Sequence, residues 1–193
     1  MRYRLLMFLV GFFLVLCRTG TAGAEEPVYL YQENYFQWFH ASGWMGDIQD
    51  LFLNSASTEN PYQGSTCVKI AYTPSHPYAS VWAGIYWQYP VNNWGEREGR
   101  SVLNGARTLR FYARGARGGE VIQVKVGGMM NGEYSDSDKV EETFQLTDEW
   151  KEYRMTLFGA DLSHIIGGFA VVFARMDNPE GATVYLDEIV YEK

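Results

Sequence analysis

The sequence predicts an all-β fold, an antiparallel β-sandwich. Short segments in which apolar and polar residues alternate follow one another along most of the chain. Glycine, proline and asparagine separate these segments at short intervals, and no long stretch repeats its apolar residues with the period of a helix. This combination is typical of two packed antiparallel sheets.

The predicted strands are defined by alternation or by continuous apolar runs. In chain order they are 28–39, 51–53, 66–72, 81–88, 108–113, 121–127, 152–157, 169–174 and 183–191. The run 169–174 is apolar throughout and predicts a central strand covered on both faces. Residues 40–47 contain two glycines and predict a turn, and the polar stretch 127–142 predicts a connection. The short segment 160–165 is the one indication of helix.

The segment 80–95, SVWAGIYWQYPVNNWG, concentrates three tryptophans and two tyrosines. As a strand, its first half presents an apolar set that suits a core: Val81, Ala83, Ile85 and Trp87. The opposite set is aromatic plus an amide: Trp82, Tyr86 and Gln88. Two interpretations follow for this second set. Either another layer of the protein covers Trp82 and Tyr86, or the rings form a platform for a ligand.

The N-terminal residues have the features of a secretory signal. Arg2 and Arg4 precede the apolar run 5–16, and the triplet 22–24 is an Ala-Gly-Ala cleavage signal. The run is too short to span a bilayer, which takes about 20 residues. We therefore expect a signal peptide over 1–24 and a single β-sandwich domain over 25–193, exported to the periplasm, the cell surface or the medium. Lipidation of Cys17 is a less favoured alternative, because large residues precede it.

Charge and cysteine content restrict the class of protein further. Removal of 1–24 changes the formal net charge from −7 to about −10, which argues against nucleic acid or an anionic membrane as a partner. Cys67 would then be the remaining cysteine, so no intramolecular disulfide is expected. The hydrophobic core must stabilise the domain by itself.

Two segments resemble a known superfold. The stretch 110–128, RFYARGARGGEVIQVKVGG, and the closing stretch 184–192, VYLDEIVYE, are similar to the jelly-roll sandwiches of the galactose-binding-like superfold. Many carbohydrate-binding modules of secreted glycan-degrading enzymes belong to it, and the resemblance covers about 43–192. It implies a glycan site made of aromatic side chains on a sheet face or a loop edge. It also implies a structural calcium, with Asp187 as a ligand and Glu33 as a candidate partner.

A sugar-binding face needs flat rings that stack on pyranose C–H surfaces, and polar groups that fix the hydroxyl pattern. The outward faces of three successive strands and one loop supply such groups, provided that the strands are neighbours. The candidate ligand-binding residues are Trp82, Tyr86, Gln88, Trp94, Arg110, Tyr112, Gln123 and Lys125. The alternative is that Trp82 and Tyr86 lie beneath the loop 90–104 and that the cations are ordinary solvated charges.

The sequence contains no recognisable catalytic constellation. Its histidines, His40, His76 and His164, are isolated, and no nucleophile-elbow motif is present. The predicted function is therefore non-catalytic binding of a poly- or oligosaccharide. Two alternatives remain: a structural or protein-binding module of an exported assembly, and a β-sandwich polysaccharide lyase that would use Tyr112 beside Arg110 and Lys125.

Overall fold

A computed structural model of the protein describes residues 26–33, 35–75 and 81–193. The predicted export signal, its cleavage site and Cys17 lie outside these residues. No helix in the described part of the chain is long and apolar enough to cross a bilayer.

The described residues form twelve strands and one short 3-10 helix, Ile48–Asp50. The strands are β1 Val28–Gln32, β2 Tyr35–Phe36, β3 His40–Gly46, β4 Leu51–Ser57, β5 Cys67–Tyr72, β6 Trp82–Gln88, β7 Thr108–Gly115, β8 Val121–Gly127, β9 Lys139–Gln145, β10 Lys151–Thr156, β11 Gly167–Ala174 and β12 Ala182–Glu192.

These strands make two antiparallel sheets. The five-stranded sheet has the order β3-β6-β11-β8-β9. The seven-stranded sheet has the order β10-β7-β12-β1-β2, and β4 and β5 extend it through pairing of β5 with β12. The long strand β12 joins the two parts of this sheet: its first half pairs with β5, and its last residues pair with β1.

One hydrophobic core fills the space between the two sheets. Phe111 of β7 and Phe169 of β11 meet edge to face across it, with ring centroids 6.3 Å apart. Trp87 and Tyr191 contribute further large side chains that are fully buried. Inward residues of both sheets therefore share a single apolar layer, as expected of a sandwich. The predicted all-β sandwich is confirmed.

Three local expectations are wrong, each for a physical reason. Residues 40–46 are strand β3 and not a turn; a side chain on Gly43 would come within 2.6 Å of the Gln88 amide carbon, so this glycine permits close packing and not a bend. Strand β9 begins inside the predicted connection 127–142 and continues to Gln145; it was missed because an edge strand is exposed and need not be apolar. The segment 160–165 contains no helix.

The start of β6 also differs from the expectation. Val81 precedes the strand with a φ of 58°, a conformation that β-branched residues rarely adopt. Its side chain is 52% exposed and does not join Ala83, Ile85 and Trp87 in the core. The predicted core parity therefore begins at Ala83.

Candidate functional site

The outer face of the five-stranded sheet carries a groove made of two adjoining cavities. The first has a volume of about 640 Å³ and the second about 270 Å³. Trp82, Lys125 and Val172 line both cavities, so the two are continuous. We call these two cavities together the groove.

Two tryptophans present partly exposed rings to the groove. Trp82, 36% exposed, is the first residue of β6 and lines both cavities, whereas Trp94, 38% exposed, lines the second cavity from a loop. Gly46 of the neighbouring strand allows a close approach to Trp82, because a side chain there would collide with the Trp82 carbonyl oxygen and come within about 3.0 Å of its ring. Two candidate stacking residues therefore lie along one open surface.

A buried amide network fixes the Trp94 loop. Asn93 is fully buried; its side-chain oxygen accepts hydrogen bonds from the backbone N–H groups of Gly95, Glu96 and Arg97, each at 3.1 Å. Its side-chain nitrogen donates to the carbonyls of Tyr89 and Arg97. This network closes the loop around one side chain and thereby positions the adjacent Trp94.

Gln88 belongs to the same network and does not reach the groove. Its side-chain nitrogen donates to the Asn93 carbonyl at 2.8 Å, and its side-chain oxygen accepts from the Ser42 hydroxyl at 2.9 Å. The residue is fully buried. The expectation that Gln88 contacts a ligand is therefore not met, since both ends of its amide are used inside the protein.

Tyr86 is also largely buried, although its backbone parity matches that of Trp82 and part of it lines the second cavity. The residue is 5% exposed, and its hydroxyl donates to the Gly127 carbonyl at 2.9 Å. It packs with Met129 and Ile166 in a small apolar cluster outside the main core. Burial raises the pKa of Tyr86. The segment after β8 covers this ring, and not the loop 90–104 that the sequence suggested.

Gln123 and Lys125 lie where the sequence predicts, on the outward face of β8. Both are half-buried and line the first cavity. The Lys125 ammonium lies 3.2 Å from the Glu141 carboxylate, and Lys139 lies 2.9 Å from the same oxygen. The hydrogen bond from Lys139 holds the pKa of Glu141 below its usual value.

Arg110 and Tyr112 lie elsewhere, because β7 belongs to the seven-stranded sheet. Arg110 forms an ion pair with Glu192 at 2.7 Å. Tyr112 stacks on Tyr62 with ring centroids 3.6 Å apart. The expectation that one sheet face unites all the candidates is therefore wrong for these two residues.

The same separation removes the arrangement that a lyase would need. Tyr112 and Lys125 lie on different sheets, so Lys125 is not a neighbour of this phenol. A hydrogen bond with Tyr62, burial and a hydrogen bond to Glu152 together raise the pKa of Tyr112. A raised pKa makes the phenolate a less accessible base at neutral pH.

The residues expected to hold calcium come together around a loop. Asp187 is buried, and its carboxylate accepts hydrogen bonds from the N–H groups of Tyr62, Gln63 and Glu188. Glu33 accepts from the backbone and hydroxyl of Ser65.

This arrangement fits an anchor for residues 62–65 better than it fits a calcium ligand set. N–H donors already occupy both Asp187 oxygens, whereas calcium needs six to eight oxygen ligands. In the described ranges, no group of three or more His, Cys, Asp or Glu side chains is placed to hold a metal ion. Calcium at Asp187 stays a prediction.

Sequence reasoning missed several residues that line the groove. Val172 was overlooked because the continuous apolar run of β11 does not reveal which residues face outward. Arg175 was overlooked because it follows β11, outside the predicted strand 169–174. Lys139 was missed with its strand, and Met129 to Asn131 were read as part of a polar connection. Lys139 lies opposite Gly127 in the pairing of β8 with β9, and that pairing is what brings it to the groove.

Comparison with known proteins supports the fold. The sequence matches no family model and no curated protein. Two crystal structures of a family 30 carbohydrate-binding module each have a TM-score of 0.60 and 14% identity over 87% of this chain, covering 99% and 88% of theirs. The family 30 module of a cellulosomal cellulase of Clostridium thermocellum has a TM-score of 0.59 and 14% identity, covering 87% of this chain and 98% of that one. The fold is that of a carbohydrate-binding-module-like β-sandwich.

Proposed function

We propose that the protein is an exported, non-catalytic module that binds a poly- or oligosaccharide in the groove. The observation that carries the proposal is the pairing of two partly exposed rings, Trp82 and Trp94, on one open sheet face. Gln123 and Lys125 lie on the same face. Rings stack on the C–H faces of sugars, and polar groups select among hydroxyl patterns.

The fold and the rigidity of the groove support this proposal. The similar solved structures are family 30 carbohydrate-binding modules. The Trp94 loop is held by the buried Asn93, so its ring is placed before a ligand arrives. A preformed site loses less conformational entropy on binding.

The test uses tryptophan variants that differ in position but not in exposure. Trp82→Ala and Trp94→Ala remove rings from the groove, whereas Trp44→Ala removes a ring that is also 38% exposed but lines neither cavity. Binding is measured by affinity gel electrophoresis and a glycan array. We expect each groove variant to weaken binding at least about tenfold, with Trp44→Ala close to the wild type.

Two outcomes contradict the proposal. If the wild type binds no glycan, the groove does not have this role. If Trp44→Ala weakens binding as much as Trp82→Ala while both keep the wild-type circular dichroism spectrum, the ligand does not occupy the groove.

The second candidate is a protein-binding module of an exported assembly. The apolar part of the first cavity favours it, where Val81 is 52% and Met176 89% exposed. Exposed apolar patches often contact proteins. Self-association that depends on concentration and is lost in Met176→Ser, without glycan binding, supports this second role.

A further inference from the structure

The charge of the groove is opposite to that of the protein. The full chain has 23 acidic and 16 basic residues. Among the described residues that line the two cavities, three are cations and none is Asp or Glu. The cations are Lys125, Lys139 and Arg175. Because acidic residues outnumber basic ones in the chain, its overall composition does not predict a groove lined by cations without carboxylates.

The two lysines share a single counter-ion. Lys125 and Glu141 face each other across β8 and β9, and Lys139 lies two residues before Glu141. Both ammonium groups approach the same Glu141 oxygen, at 3.2 and 2.9 Å. Each ammonium has three N–H donors, so one carboxylate leaves donor capacity and one positive charge at the groove.

The position of Glu141 distinguishes this arrangement from an ordinary surface ion pair. Both lysines line the second cavity, whereas Glu141 lines neither. The lysine side chains are 22% and 43% exposed, so Lys125 in particular is partly removed from water. Lower exposure strengthens the interaction of a charge with an incoming anion.

We propose that the groove recognises an anionic glycan, one whose sugars carry carboxylate or sulfate groups. This inference rests on the proposed sugar-binding function and specifies its ligand class. An acidic group of one sugar binds Lys125 and Lys139, while the ring of that sugar or of its neighbour stacks on Trp82 or Trp94. Arg175 also lines the first cavity, but the inference rests on the two lysines.

The experiment compares polysaccharides that differ only in charge. Soluble uronans (polygalacturonate, polyglucuronate and alginate) are tested beside the same polymers after chemical reduction of their carboxylates. Sulfated galactans are tested beside their desulfated forms. Binding is measured by calorimetry at two salt concentrations. We expect at least one acidic polymer to bind about tenfold or more tightly than its neutral counterpart, and high salt to reduce that difference.

Three variants separate the role of the charge from a structural role. Lys125→Gln and Glu141→Gln break the same ion pair. We expect the first to weaken binding of the acidic polymer about tenfold and the second to strengthen it, because it frees both ammonium groups. Lys69→Gln is the matched control: Lys69 also pairs with a glutamate and its side chain is also 22% exposed, but it lies on the other sheet. It should bind like the wild type.

The outcomes distinguish the two proposals. Equal or tighter binding of the neutral polymers overturns the inference and leaves the sugar-binding function intact. So does an equal change, in the same direction, for Lys125→Gln and Glu141→Gln. If no acidic polymer binds, the inference fails; the sugar-binding function fails with it only when the wild type also binds nothing on the glycan array. Binding to the sulfated polymers but not to the uronans supports the inference and identifies sulfate as the anion.

Discussion

Replacing Gln88 with methionine separates a positioning role from a ligand-binding role. Methionine has a similar length and volume, but its sulfur is only a weak acceptor for the Ser42 hydroxyl and cannot donate to the Asn93 carbonyl. Two buried hydrogen bonds of 2.9 and 2.8 Å are therefore lost. Ser42 keeps a bond to the His40 carbonyl, but the Asn93 carbonyl loses this donor. A buried polar group left without its partner costs about 1–3 kcal/mol, and a net hydrogen bond is worth about 1 kcal/mol.

We therefore expect Gln88→Met to lower the free energy of unfolding by about 2–4 kcal/mol, which is a fall in Tm of roughly 5–15 °C for a domain of this size. Urea denaturation monitored by circular dichroism measures the loss. Because Gln88 holds the Trp94 loop, glycan affinity should fall too, and quenching of tryptophan fluorescence by acrylamide should increase.

Gln123→Met is the matched control for this experiment, since the same substitution is made at a half-buried position in the groove. It should weaken glycan binding with little change in stability. The reasoning would be refuted if Gln88→Met weakened binding while its denaturation midpoint matched the wild type, since Gln88 would then act on the ligand directly.

Three further predictions concern stability. Gly43→Ala should destabilise the fold by about 1–3 kcal/mol in urea denaturation, because the new methyl group would overlap the Gln88 side chain; unchanged stability would mean that the amide moves freely. Burial raises the pKa of Asp136 in the folded protein, so the folded state holds the carboxyl proton more tightly than the unfolded chain does. This difference adds to the free energy of unfolding below the usual aspartate pKa of about 3.9, and the added free energy is lost as the pH rises through the raised value. The unfolding free energy of the wild type minus that of Asp136→Asn should therefore decrease across that range; a rise would reverse the sign of the argument. If calcium binds at Asp187, it should raise the Tm of the wild type but not of Asp187→Asn; equal shifts in both would place the ion elsewhere.

The sequence predicted correctly those properties that depend on one strand alone, such as which side chains face the core. Alternation in β8 correctly placed Ile122 and Val124 in the core and Gln123 and Lys125 outside it. It said nothing of which sheet a strand joins, because parity distinguishes inside from outside and not one outer face from the other. Arg110 and Tyr112 are outward-facing as predicted, but on the outer face of the opposite sheet.

The sequence also could not predict which outward side chains are buried by segments distant along the chain. Trp82 and Tyr86 have the same parity in the same strand, yet one ring is 36% exposed and the other 5%. The difference comes from the segment after β8, which is distant in sequence and packs on Tyr86 through Met129. A pattern read within one strand cannot contain that information, because both rings satisfy it equally.

The outward residues of β6 therefore combine the two roles that the sequence presented as alternatives. Trp82 faces the groove, Tyr86 bonds the Gly127 carbonyl at the start of one lining segment, and Gln88 bonds the Asn93 carbonyl beside the other. The two segments are joined to each other by the hydrogen bond from the Tyr134 N–H to the Gly95 carbonyl at 2.9 Å. Tyr86 and Gln88 are buried, and their hydrogen bonds fix the two segments that line the groove beside Trp82. For this reason, a substitution at Gln88 should alter binding through the shape of the groove, whereas one at Trp82 should alter it through direct contact.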